Sequence, residues 1–212
     1  MMKIVNFYFM EMVNLNNQTG RSVWGGQAFG GYAGLKHTAE IIAEYIPNSI
    51  IYVEPFAGLG RLMGLIKADK IILNDLSEYA NNHNKKYNAV ITDLDFIECI
   101  NQNDSKDTFF LIDPPYSNNV YKLNEKCFID RDYRDYYRQL ADLLPKIKGN
   151  WILCIDERNY HRFVKSLFPK YDSLNIKSKK NSLFGLKANI RLISNKPLIK
   201  QGIRQVTLEN RE

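Results

Sequence analysis

The residues best suited to chemistry lie in FFLIDPPYSN, Phe109 to Asn118. Four apolar residues run into a carboxylate, two prolines and an aromatic ring. Proline fixes φ and removes a backbone donor, so Asp113, Pro114, Pro115 and Tyr116 form a stiff, extended segment. It holds a carboxylate, free carbonyls and one aromatic face in fixed relation. Such a set suits a flat ring with an exocyclic amine. Asp113 accepts one N–H, the carbonyl of Pro114 accepts the other, and Tyr116 stacks on the ring. Nothing in the segment donates a proton or forms a covalent bond. It positions and polarises an amine, which is what methyl transfer to an amino nitrogen requires. Two acceptors on the hydrogens of adenine N6 favour the pyramidal, more nucleophilic nitrogen, and orientation supplies much of the rest. A plain strand closed by a Pro-Pro turn accounts for the prolines, but not for the acid and the tyrosine together.

A second group lies upstream. VEPFAGLG gives Glu54, Phe56, Gly58 and Gly60, and NDLS gives Asp75. Glycines at 58 and 60 let the backbone turn tightly and let a ligand approach it. No Gly-Lys-Ser/Thr follows, so a phosphate-binding P-loop is excluded. Asp75 stands where an acid accepts hydrogen bonds from ribose hydroxyls, about 20 residues beyond a glycine loop. Alone it reads as a surface or capping acid; placed with the glycine loop it reads as a ligand contact. DLDF adds Asp95 and Phe96.

These residues need a scaffold that brings strand ends together. SIIYVE (49–54), KIILND (70–75), TFFLID (108–113) and NWILCID (150–156) read as buried strands. Helical patterns fill 36–46, 61–68, 77–88, 131–145 and 158–168. YDSLNIKS (171–178) and ANIRLIS (188–194) read as two antiparallel strands at one edge. Alternating strands and helices predict an α/β fold with a mostly parallel sheet covered on both faces. Ligands of such sheets bind beyond the carboxyl ends of the strands, which is where all the residues above fall. No linker is visible, so residues 1–212 read as one domain, with a glycine-rich segment at 20–36 and a polar tail at 200–212.

The chain has 212 residues, 45% hydrophobic and 25% charged, the composition of a globular domain with a sizeable core. No stretch is long and apolar enough to span a bilayer. Asn6 and Glu11 interrupt the apolar N-terminus, and no cleavage site follows, so no signal peptide is expected and the expected location is cytoplasmic. Met2, Met10 and Met12 are further candidate starts. Cys99, Cys127 and Cys154 show no CxxC spacing, and His37, His83 and His161 are scattered, so neither a disulfide scaffold nor a metal site is expected. The formal charge of +6 suits a polyanionic partner.

VEPFAGLG, NDLS, DLDF and DPPY, in that order, resemble the S-adenosylmethionine-dependent amino-methyltransferases. More closely, the chain is similar to the Dam-like (D12 class) DNA adenine-N6 methyltransferases. Their W/Y-x-G-G-K segment is matched by Tyr32-Ala33-Gly34-Leu35-Lys36, with Leu35 in place of the second glycine. The resemblance covers about Tyr32 to Asn195. It implies a Rossmann-like methyltransferase fold with a mostly parallel seven-stranded sheet, and S-adenosylmethionine as cofactor. Tyr32 and Lys36 would contact its methionine end. Glu54, Phe56, Gly58 and Gly60 would line its pocket, Asp75 would hold the ribose, and Asp95 and Phe96 would meet the adenine. Asp113, Pro114, Pro115 and Tyr116 would grip the target base, with Asp113 also bordering the cofactor. Two departures stand out. The family's C-terminal R-x-E-x-L-I-x-N reads Ala188-Asn189-Ile190-Arg191-Leu192-Ile193-Ser194-Asn195 here. Only 52 residues separate Gly60 from Asp113, which leaves no room for the target-recognition domain that Dam-like enzymes insert there.

A base inside a duplex cannot reach such a pocket, so it is flipped out or presented on a single strand. Candidate backbone contacts are Lys122, Arg131, Arg134, Arg158, Lys177 and Lys179, with Arg138, Arg162, Lys165, Lys180 and Lys187 behind them. Each reads equally as solvated surface. DYRDYYR could stack unpaired bases, and its tyrosines could equally fill the core. The expected partner is nucleic acid, with DNA preferred over RNA and a separate specificity partner allowed. Site-specific DNA adenine-N6 methylation, in a restriction-modification or mobile-element setting, is the first reading. RNA adenine-N6 methylation is the second, and a non-catalytic nucleic-acid-binding module the third.

Overall fold

A computed structural model describes residues 36–116, 132–177 and 189–201. Seven strands form one sheet: β1 (Ser49–Glu54), β2 (Ala68–Asn74), β3 (Val90–Thr92), β4 (Thr108–Ile112), β5 (Asn150–Asp156), β6 (Asp172–Lys177) and β7 (Asn189–Ser194). Their spatial order is β3-β2-β1-β4-β5-β7-β6. The first five are mutually parallel. β7 lies between β5 and β6 and runs antiparallel to both. This is the Rossmann-like methyltransferase sheet expected above. The C-terminal pair is more than an appended hairpin, because its second strand is the inner one. Strand order reverses between β1 and β4, the point at which such sheets open a ligand crevice.

Successive residues of the central strands alternate between two cores, as a pleat of period two demands. Val53, Phe110, Ile112, Trp151, Leu153 and Ile155 face one side. Tyr52, Phe109, Leu111, Ile152 and Cys154 face the other. On the first side lie α3 (Phe96–Asn103) and α4 (Tyr133–Leu143). The second is covered by α1 (Lys36–Ala43) through Ala39 and Ile42. Between β2 and β3 sits α2 (Glu78–Asn84), which Ser77 caps by accepting the Ala80 N–H.

Four expectations change. Residues 61–68 form no helix. Gly60 and Gly64 take φ of 59° and 85°, and three-residue turns such as Met63 N–H to the Gly60 carbonyl (3.0 Å) replace the helical ladder. Leu62 still reaches the core. The helix begun at Lys36 stops at Ala43, and its last turn tightens into bonds such as Tyr45 N–H to the Ile42 carbonyl at 2.9 Å. β3 and α3 were not foreseen. β3 has three residues, too few for a periodic signal. Finally, residues 158–168 are no uniform helix: a short α turn (Glu157–Asn159) passes into a π turn (Tyr160–Val164) and a second α turn (Lys165–Leu167). At the C-terminal end, Lys200 pairs with Glu44 (2.6 Å) and the Gln201 N–H donates to the Glu44 carbonyl, so the described start of the polar tail is tied down.

Candidate active site

The carboxyl ends of β1, β2, β4 and β5 bring most of the foreseen residues to one rim. β1 ends in Glu54, 4% exposed, whose Oε1 accepts from the Tyr52 hydroxyl at 2.8 Å. Next, β4 runs through five buried residues and delivers Asp113, 8% exposed, just past Ile112. Burial pushes the Glu54 carboxyl up to about 8, with the neighbouring Asp113 charge adding to it. Burial likewise pushes Asp113 up to about 7. Both charges help hold the buried Cys154 thiol well above its usual range, after burial itself. Among the described residues no cation pairs with either acid, and no group of His, Cys, Asp or Glu is arranged to hold a metal.

Tyr116 folds back on this acid. Its ring is buried, and its hydroxyl donates to Asp113 Oδ1. One oxygen of the carboxylate is thus engaged from within the segment. Among the described residues, its second oxygen accepts no hydrogen bond.

The glycine loop is built by polar side chains. Gly58 and Gly60 take φ of 51° and 59°, a region costly for residues with a Cβ. At Gly60 a Cβ would also meet Asn84 Oδ1 and Tyr87 Cε2 at 3.0 Å. Asp75 clamps the loop: Oδ2 accepts the Gly58 N–H at 2.8 Å and Oδ1 the Ser77 N–H at 2.9 Å. Burial raises the Asp75 carboxyl and these two bonds pull it back. Each carboxylate oxygen can accept twice, so capacity for ligand hydroxyls remains.

Asp95 caps α3 by accepting the Ile97 N–H at 2.9 Å. Phe56 stacks on Phe96 with centroids 5.1 Å apart, and Tyr136 closes on both at 5.7 and 5.6 Å. Tyr136 and the fully buried Tyr137 therefore belong to packing. Tyr32, Lys122, Arg131 and Lys179 lie outside the described residues, and of Lys36 only its place at the start of α1 is described. Arg134 is exposed and bonded to Asp132. Arg158 and Lys177 are exposed, and the register places both at the carboxyl end of β5, on the site's side of the sheet.

Three asparagines were missed. Asn74, 1% exposed, donates to the Pro55 and Leu94 carbonyls and accepts from the Leu94 N–H and the Thr92 hydroxyl, at 2.8 to 3.0 Å. It ties the loops after β1, β2 and β3 together. Asn84 donates to the Gly58 carbonyl at 2.9 Å. Asn159 reaches the Tyr116 carbonyl at 2.9 Å. A polar residue ending the apolar run KIIL was a usable signal for Asn74. Nothing local marks the other two.

No family model matches the chain, and no curated protein is similar to it. Solved structures similar in outline include a dimethyladenosine transferase from Plasmodium falciparum, at 15% identity over 73% of this chain and 59% of that one, TM-score 0.47. SMU.1697c from Streptococcus mutans, in complex with SAH, shows 12% identity over 73% and 94%, TM-score 0.46. A precorrin 8w decarboxylase from Methanobacterium thermoautotrophicum shows 14% over 75% and 87%, TM-score 0.45. The chain spans less than two thirds of the length of the Plasmodium protein. Likeness at this level carries no argument about chemistry, which rests on the residues above.

Proposed function

We propose that the protein is an S-adenosylmethionine-dependent methyltransferase acting on the N6 amine of adenine in DNA. One observation carries the reading. Two buried acids, Glu54 and Asp113, stand at adjacent strand ends with no cation beside them among the described residues. Buried carboxylates without a cationic partner are costly to ionise, and they suit a ligand that brings positive charge. S-adenosylmethionine supplies an ammonium group and an electrophilic methyl carbon on a sulfonium. The loop turns through positive φ at Gly58 and Gly60, which keeps its backbone tight beside these acids at the strand ends.

The chain's own residues then have separable tasks. Glu54 faces the cationic end of the cofactor. Asp75 holds the loop and offers its spare lone pairs to the ribose. Phe56 and Phe96 form an apolar wall for the adenine. Asp113 would accept an N–H of the target amine and the Pro114 carbonyl the other, which would leave the nitrogen lone pair free to attack the methyl group that the cofactor supplies. The nitrogen–methyl bond would form as the sulfonium–methyl bond breaks, leaving the cofactor as a neutral thioether, and the amine proton would pass to water afterwards, so no general base is needed to start the reaction.

RNA is the second reading. It is favoured by the 52-residue interval between Gly60 and Asp113, which holds no inserted recognition domain. Labelled methyl incorporation into duplex DNA, single-stranded DNA and total RNA, followed by identification of the methylated nucleoside, tests both. N6-methyladenine in DNA is expected. Label confined to RNA replaces the first reading with the second, and no incorporation anywhere removes both. Asp113→Ala is expected to lower turnover at least 100-fold while cofactor affinity changes only a few-fold; unchanged turnover would strike Asp113 from the site.

A further inference from the structure

Asn159 lies three residues beyond β5 and is 8% exposed. Its side chain is engaged on all sides. Nδ2 donates to the Tyr116 carbonyl at 2.9 Å and to Asp156 Oδ2 at 2.6 Å. Oδ1 accepts from the Tyr133 hydroxyl at 3.2 Å. Its own N–H donates to Asp156 Oδ1 at 3.1 Å. One amide thus joins β5, α4 and the end of the Asp-Pro-Pro-Tyr segment.

The backbone around it is unusual. The π turn Tyr160–Val164 begins at the next residue. Such turns are rare, and they occur mostly where surrounding contacts demand a shifted face. Here Asn159 reaches Tyr116 and Tyr133 from the residue just before the wider turn. Val164 and Tyr160 remain buried, and Phe163 still meets Tyr133 and Tyr137 at 6.0 and 5.6 Å. The Pro114–Pro115 pair has no N–H with which to join the sheet. The bond from Asn159 is therefore an anchor from outside the segment, placed at its far end.

We infer that Asn159 is a positioning residue, which fixes Tyr116 and through it the Asp113 carboxylate for the incoming amine. The inference rests on the proposed function for its catalytic consequence and on the hydrogen bonds alone for its structural one. Two variants test it. Asn159→Leu removes the amide; Asn159→Asp keeps the shape but turns the donor toward Tyr116 into an acceptor. Asn159 bonds the Tyr116 carbonyl, and Tyr116 is the first residue after the two prolines with an amide hydrogen, so its exchange with deuterium reports on local opening of the anchored end. Exchange there is expected to accelerate about tenfold in both variants, with the amides of β4 unchanged. In the active enzyme, kcat is expected to fall about tenfold with KM for S-adenosylmethionine within about twofold. Unaltered exchange at Tyr116, or protection lost across β4 and β5 in both variants, overturns the inference. A wild-type protein that methylates nothing defeats the proposed function instead, and the exchange data still decide the anchor.

Discussion

Glu54 makes the site's most specific demand on pH. Its carboxyl titrates near 8, where an ordinary glutamate has 4.5. The folded protein therefore keeps a proton that the unfolded chain has released. Between about pH 4.5 and pH 8 the unfolded state binds fewer protons, so stability falls as pH rises through this window. The ligand-free protein is expected to melt at a higher temperature at about pH 5.5 than at about pH 8.5, and Glu54→Gln is expected to shrink that difference. Melting curves of both proteins at the two pH values check it, and an equal slope in the variant would acquit Glu54. Cofactor binding runs the other way: affinity is expected to rise with pH as Glu54 and Asp113 ionise, with protons released on binding. The sequence marked Glu54 as a pocket residue and Asp113 as an acceptor, because their places at strand ends and beside glycine or proline are local facts. It gave no view of Tyr52 or Tyr116 as their hydrogen-bond donors, since those contacts depend on which face each strand turns inward.

Elements were legible in proportion to their length. β1, β2, β4 and β5 each carry at least five residues, and their β-branched or aromatic runs announce them. β3 was too short to announce itself. α3 did carry a signal, an Asp95 cap before apolar residues at 96, 97, 99 and 100, but Asp95 and Phe96 had been assigned to the ligand. The polar cross-links between elements left least trace, because a single Asn serves a turn as readily as a buried network. Asn74 shows what such a residue does. Asn74→Ala strips partners from the Pro55 and Leu94 carbonyls, the Leu94 N–H and the Thr92 hydroxyl. Loss of about 2–4 kcal/mol of stability is expected from urea unfolding, since several buried groups lose partners at once. Weakened cofactor binding is expected with it, because the loops after β1 and β3 lose their tie.

The whole molecule divides its labour between the two ends of the sheet. At the carboxyl ends, Glu54 and Asp113 sit buried with no cation beside them among the described residues. The amino ends are braced by polar pairs. Asp104 accepts from the Lys148 and Gly149 N–H groups at 2.8 and 2.9 Å. Asn195 accepts the Trp151 N–H at 3.0 Å and donates to the Gly149 carbonyl at 3.1 Å. At Gly149 a Cβ would meet the Thr108 carbonyl at 2.9 Å. Asn195, matched in the sequence as the last letter of a family pattern, is thus a brace for β5. The placement of β7 has a further consequence, for how the chain comes to be folded at all. The strand that neighbours β5 is the latest-emerging of the seven. Until it is synthesised, the Trp151-to-Ile155 stretch presents a bare, greasy edge to anything it meets, a hazard for aggregation. A chain stopped after residue 188 is expected to partition into the pellet, with soluble yield measured against the 212-residue chain, because the sheet closes only once its last strand is in place.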